Sequence, residues 1–477
     1  MNGCRKFIGI YCYLVEKMNK NISMKMAPWS WLARVALLLA LLAGGEGCAT
    51  AEHATQVPSQ LAAVMGCDAS KVTITGVHWF RESSGAWRVV GVINNGSSKS
   101  IDKLMTGVET YTKADQSADQ GEDVSAEPLN LQPGSQAPFT AWIDREIPGL
   151  DHFKVEIDEC VLADPVERGQ VEVRNGRMVV DDNGVAQVSA EVFNPGPKPL
   201  LVNGSMAAVY DQAGALVTAA YVEVATRNLA PGESGPVRAS LDLPPGETKA
   251  IKSYKFFMDA VVNSSNPLPL DVTHNVEIIS HYSDSAGHFH LVGQITNPGP
   301  RELMASLQAA VYSDATKSTL VDAAYFNTWI PLQPGETRPF DLTGWGALNN
   351  TAGLWEQLSK QNAAIVVRLE PFLTWPVDAT VGKLTLLDGS LSYQDGQVLF
   401  TGKVQNDMPG SINNAQVMAV LRDKTGGQIV ATGNAQVAIS DSAAPGQILD
   451  YSLTIPLPPN VDLAGLNTEL TVVGQQP

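Results

Sequence analysis

The amino-acid sequence predicts an all-β chain: four tandem antiparallel β-sandwich domains behind an N-terminal signal segment. Three observations carry this. Val-, Thr- and Ala-rich runs alternate with turns that draw on 41 Gly and 29 Pro, a composition of short strands rather than helices. Apolar residues recur with period two: Phe289, Leu291, Gly293 and Ile295 fall on one face, and His288, His290, Val292 and Gln294 on the other. Three landmarks also recur four times in register. They are a turn Asn (Asn94, Asn194, Asn297, Asn406), a strand end (Tyr111, Tyr210, Tyr312, Leu421) and a Pro-Gly turn at 133–134, 231–232, 334–335 and 445–446. Units of about 100 residues exceed solenoid repeats of ~20–50 and suit self-contained sandwiches.

Residues 1–47 read as a signal peptide, with 1–23 as an over-extended start. Lys25 and Arg34 supply positive charge, 35–43 is an unbroken apolar run, and Gly44-Gly45-Glu46-Gly47-Cys48 follows. The run is shorter than the ~20 residues of a membrane span. Small residues before a Cys resemble the lipobox of bacterial lipoproteins, which implies acylation of Cys48 and a mature N-terminus there. Gly45 stands where that pattern carries Leu, so ordinary secretion is the alternative. Residues 48–69 form a tether.

The sandwiches are expected at 70–165, 166–269, 270–376 and 377–477. Each opens with a hairpin whose turn (82–85, 181–184, 283–287, 394–396) lies between apolar runs. Asn-Pro-Gly after the second strand ends the ladder, because Pro lacks a donor and Gly permits a reversal. Strands at 152–161, 250–261, 363–370 and 466–474 close the units. Linkers at 163–166, 266–270 and 371–376 are short and Pro-bearing, hence semi-rigid. Two insertions interrupt the pattern: an acidic, exposed loop at 114–127, and a short helix within 351–363 that points Leu354, Trp355 and Leu358 inwards.

The landmark Ala207-Ala208-Val209-Tyr210-Asp211, followed by Gln212-Ala213-Gly214, resembles the FxLYD family of bacterial exported domains. The third unit keeps Ala309-Ala310-Val311-Tyr312 but has Ser313 before Asp314. The first has Tyr111 without the Asp, the fourth reads Val420-Leu421-Arg422-Asp423, and the leading Phe is absent throughout. The resemblance covers most of 70–477. It implies Ig-like sandwiches, envelope or surface location and no catalysis, and it carries no site residues.

Chemistry is sparse. Cys67 and Cys160 bracket the first unit and invite a disulfide in an exported protein. Against it, parallel first and last strands would put the two ends at opposite poles; the alternative is two buried thiols. His288 and His290 share a strand face, with His281 expected opposite across the hairpin and His274 nearby, an arrangement open to Zn or Cu. Solvent-facing histidines explain the same pattern, so neither a metal nor any other cofactor is expected. Asp181, Asp182 and Asn183 suit a turn better than a Ca²⁺ loop. Gly-x-Ser-x-Gly and phosphate-cradling Gly loops are absent. A formal charge of −17 without clustered Lys or Arg argues against nucleic acid. The expectation is a non-enzymatic surface or envelope lipoprotein. Its modules would act as spacer, adhesion or protein-interaction scaffold, held to the membrane through Cys48, with an unidentified protein or glycan partner. The alternative is a solute- or glycan-binding protein using Trp345 and Trp355 of the third unit.

Overall fold

The computed structural model describes residues 71–125, 131–162, 167–224, 226–246, 251–263, 276–369, 375–377 and 379–477. The signal segment, Cys48, Cys67 and His274 lie outside them. The chain is all-β, and one strand order recurs four times. In the first repeat, Val72–Arg81, Trp87–Asn95 and Gln136–Ile143 form one sheet, and Ser117–Ser125, Ile101–Tyr111 and His152–Leu162 the other. Counting strands first to sixth, the sheets are 1-2-5 and 4-3-6. The counterparts start at Glu172–Val180, Val276–Ser283 and Thr385–Gln394. Side chains from both sheets meet in each core: in the first, Ile93 and Phe139 meet Leu104 and Ile157. Every first strand carries a bulge in its first half, between 75 and 78, 174 and 177, 278 and 280, and 386 and 388. Bulges twist an edge strand away from further pairing. Among the described residues no helix is long and apolar enough to cross a membrane.

The turn Asn holds each sandwich shut. Asn297 Nδ2 donates to Arg301 O (2.8 Å) and Leu332 O (3.0 Å), and its Oδ1 accepts from Gly299 N (3.0 Å). Its backbone N–H donates to Glu336 O, and its carbonyl accepts from Gly335 N of the Pro-Gly turn. Asn194 and Asn406 make the same five bonds. In the first repeat the residue is Asn95, not Asn94: Asn95 bonds Lys99 O, Leu131 O and Ser97 N, whereas Asn94 points to Thr73 and Thr75. Period two decides this, since a shift of one residue turns a side chain to the other face. The Gly of each Pro-Gly turn has positive φ (71°, 76°, 73° and 80°), which an L side chain adopts only at a cost.

The strand-end landmark also needs one correction. Tyr111, Tyr210, Tyr312 and Arg422 occupy the last pair before a register shift against the fourth strand. Leu421 instead faces inwards, 1% exposed in the fourth core. The acidic segment expected as a loop is a strand, Ser117–Ser125, paired along the third. Ladder bonds to Ile101–Tyr111 outweigh a composition poor in β-formers. The insertion in the third repeat does form a helix, Leu354–Ser359, with Leu354 and Leu358 buried and Trp355 packed on the core. Trp375–Val377, expected as linker, pairs with Glu302–Met304.

Side chains fasten neighbouring repeats to one another. At each junction the fourth strand of one repeat lies across the first sheet of the repeat before it. Leu216–Tyr221 meets Trp87–Asn95 and Gln136–Ile143; Leu320–Asn327 meets Val185–Phe193 and Ser234–Asp242; Ile429–Gln436 meets Thr337–Leu342. The first junction is largely apolar, with Val90 against Met206, Ala208 and Ala219. The second is polar. Ser189 Oγ lies 3.0 and 2.9 Å from Leu320 O and Val321 O, Tyr312 OH donates to Glu191 (2.8 Å), and Arg238 Nη1 donates to Ala323 O (2.7 Å). At the third, Tyr282 OH donates to Pro456 O (3.0 Å) and Thr432 Oγ1 to Phe340 O (3.2 Å).

Candidate functional site

The histidines expected on one solvent-facing surface are separated by the fold. His281 pairs with Leu291 across the hairpin, not with His290, so it lies on the other face of the edge strand, where it stays exposed at the rim of the core. There it meets Trp355 edge-on at 4.8 Å, and partial desolvation pulls its pKa down. His288 stays exposed at the strand start. His290 is 2% exposed, because the fourth repeat covers the face that sequence alone reads as open. Among the described residues no group of three or more His, Cys, Asp or Glu is placed to hold a metal ion.

His290 belongs to a buried charge cluster instead. Its Nδ1 lies 2.8 Å from Asp341 Oδ2, its Nε2 3.5 Å from Asp284 Oδ2, and its ring stacks on Tyr282 at 4.7 Å. Desolvation alone would lower its pKa, but Asp341 and then Asp284 outweigh it and hold the pKa above the ordinary value. Asp341 is raised by burial, which His290 only partly offsets. Asp284 Oδ1 is taken by the backbone N–H groups of Ala286 and His288 in the hairpin turn.

The same pairing recurs at the other junctions. Glu82 bonds Arg88 (2.6 Å) and Asp181 bonds Gln187 (2.9 Å). In all three repeats an acid in the hairpin turn meets a donor six residues on, on the face that receives the next repeat. The fourth repeat has Leu399 at the donor position, and no other described repeat lies on that face. This spacing was readable in the sequence as Glu82/Arg88, Asp181/Gln187 and Asp284/His290. It stands out only once the hairpins are aligned on Asn95 rather than Asn94.

Beside His290 a cleft of about 530 Å³ opens between the third and fourth repeats. Its lining includes Asp284, His290, Trp329, Asp341, Thr343 and Thr454. Trp329 is half exposed there. His290 Nε2 and Asp341 Oδ1 are buried beside it without a hydrogen-bond partner among the described residues. The aromatics expected to form a platform are committed elsewhere. Trp345 is 4% exposed and donates to Leu342 O, and Trp355 packs on Phe289.

Cys160 is buried in the first core, opposite Leu104. The geometric objection to its pairing with Cys67 falls away. Val72, five residues after Cys67, shares a core cluster with Cys160, so the start of the first strand and the end of the last lie at one pole. Asp181 caps its own turn through Asn183 N and Val185 N, and Asp182 accepts from Ala352 N across the second junction. Both are thus used in structure rather than as cation ligands. The chain matches no protein-family model, and no curated protein sequence matches it.

Proposed function

We propose that the protein is a non-enzymatic scaffold of the cell envelope or surface, anchored by a lipid on Cys48. Its four Ig-like sandwiches, of the FxLYD kind, serve as one stiff spacer that presents loops to a protein or glycan partner. The observation that supports this reading most is the recurrence of buried, bonded contacts at all three junctions. Tandem modules joined only by linkers reorient freely; modules that share desolvated polar networks move together, because parting them strands buried donors and acceptors. A stiff spacer of this sort holds a binding surface at fixed reach, which raises the chance of simultaneous engagement at several points. A disulfide between Cys67 and Cys160 belongs to the same reading and would brace the repeat nearest the anchor by about 2–4 kcal/mol.

Three measurements test it. Fractionation of wild type and Cys48→Ser should move the protein from membrane to soluble fractions; equal solubility of the two forms removes the anchor. Brief trypsin treatment of the native full chain should leave residues 71–477 largely intact, and early release of single repeats would remove the stiff spacer. Thiol labelling before and after reduction reads the Cys67–Cys160 pairing.

A further inference from the structure

We propose that the cleft between the third and fourth repeats is a binding site for a neutral, polyhydroxylated ligand of saccharide type, with Trp329 as its stacking platform. The cleft volume, about 530 Å³, lies within the ~300–1,000 Å³ of small-ligand sites. The first two junctions hold Val90 against Met206 and Glu191 against Tyr312. At the third, the fourth strand brings Gly433 and Asn434 to the cleft lining beside Thr432.

The chemistry of the lining selects the ligand class. The carboxylates of Asp284 and Asp341 stand over the cleft floor and oppose an anion. They offer little to a cation. Asp284 Oδ1 is occupied by two backbone donors, Asp284 Oδ2 and Asp341 Oδ2 face the His290 ring, and Asp341 Oδ1 is closed to solvent. Apart from the exposed His288, whose Nδ1 lies 3.4 Å from Asp284 Oδ2, what remains is uncharged. Thr343, Thr454, Asn434 and Trp329 line the cleft. A half-exposed Trp beside hydroxyl- and amide-bearing side chains suits a sugar ring, which offers an apolar C–H face and a rim of hydroxyls. Trp commonly pairs a large apolar face with one polar handle at binding surfaces.

The test uses the full chain on an array of neutral, acidic and amino-sugar oligosaccharides, followed by calorimetry with the best-retained neutral glycan. Retention of a neutral glycan is expected, at least tenfold weaker in Trp329→Ala and within twofold of wild type in Trp142→Ala. Trp142 is a tryptophan of equal exposure in the first repeat, so it controls for nonspecific stacking. Thermal melts establish that both variants fold. If Trp329→Ala proves unfolded, Thr454→Ala replaces it with a threefold or greater loss expected. No neutral glycan retained, preferential retention of acidic or amino sugars, or unchanged affinity in the lining variant would each overturn the proposal. None of these outcomes bears on membrane anchoring or stiffness.

Discussion

The fourth strand of the first repeat reads Ser-Ala-Asp-Gln-Gly-Glu-Asp-Val-Ser, while those of the later repeats read Leu-Val-Thr-Ala-Ala-Tyr, Leu-Val-Asp-Ala-Ala-Tyr-Phe-Asn and Ile-Val-Ala-Thr-Gly-Asn-Ala-Gln. All four pair with a third strand in the same way. Only the later three lie across a preceding repeat. Small and apolar residues therefore follow from the junction, not from the sheet. The first sheet of the fourth repeat, which no other described repeat covers, behaves alike: its outer face carries Ser390, Ser392, Thr401, Ser452 and Thr454 around a single Leu399, with Ser392 and Ser452 exposed. Faces that a neighbouring repeat covers are thus buried, and those that no described residue covers are mostly polar.

The sharpest way to break this contrast is to put a charge on each kind of face. Met206→Asp, fully buried at the first junction, should cost about 3–5 kcal/mol in chemical denaturation, since an unpaired charge is stranded. Ser392→Asp at the terminal face should stay within about 0.5 kcal/mol. Equal losses would mean that the junction is not a core.

A second test concerns Asp259, 4% exposed beside Arg168 near the first junction. Burial raises its pKa to about 6, and Arg168 only partly offsets this. The folded chain then keeps a proton that the unfolded chain has lost, so stability from this group falls as pH rises from about 4 to about 6. Relative to Asp259→Asn, wild type should lose on the order of 2–3 kcal/mol across that window; parallel pH profiles would refute the assignment.

Tyrosines at the same strand position give a finer comparison. Tyr312 is 5% exposed and bonds Glu191 of the preceding repeat. Tyr111, on the free outer face of the first repeat, bonds Glu109, lies under Lys154 Nζ at 3.9 Å and is raised to about 12, chiefly by the Glu109 hydrogen bond. Tyr312→Phe should cost about 1–2 kcal/mol and Tyr111→Phe no more than about 0.5. The reverse order in thermal melts would show that the junction bond is not made in solution.

Much of the fold was legible because turn chemistry is local. Asn-Pro-Gly and Pro-Gly mark strand ends whatever surrounds them, and their spacing exposed the fourfold repeat. Errors arose where one residue of register or a neighbouring repeat decides. Asn94 and Asn95 are both plausible turn residues by type; only the pleat says which one faces the core. His290 read as solvent-facing because period two assigns a face without saying what covers it. Likewise 114–127 looks like a loop because the cue for a strand, an apolar stripe, is imposed by contact with another repeat, and this strand makes none among the described residues. The cleft was illegible for the same reason: Trp329, Thr343 and Thr454 are brought together by a junction, and no local pattern joins them.

The three junctions also differ in kind, and that has a consequence for the order of the repeats. The second first-sheet presents Ser189, Glu191 and Arg238 to Tyr312 and to the carbonyls of the Leu320–Asn327 strand, while the first presents Val90 to Met206. Each surface is therefore a lock cut for one neighbour. A chain with its second and third repeats exchanged would keep every sandwich and every Asn clamp, yet place the Tyr312 hydroxyl on Val92, the counterpart of Glu191, and leave Glu191 without its Tyr312 bond. The sandwiches share one plan, but their sequence along the chain is written in the faces between them.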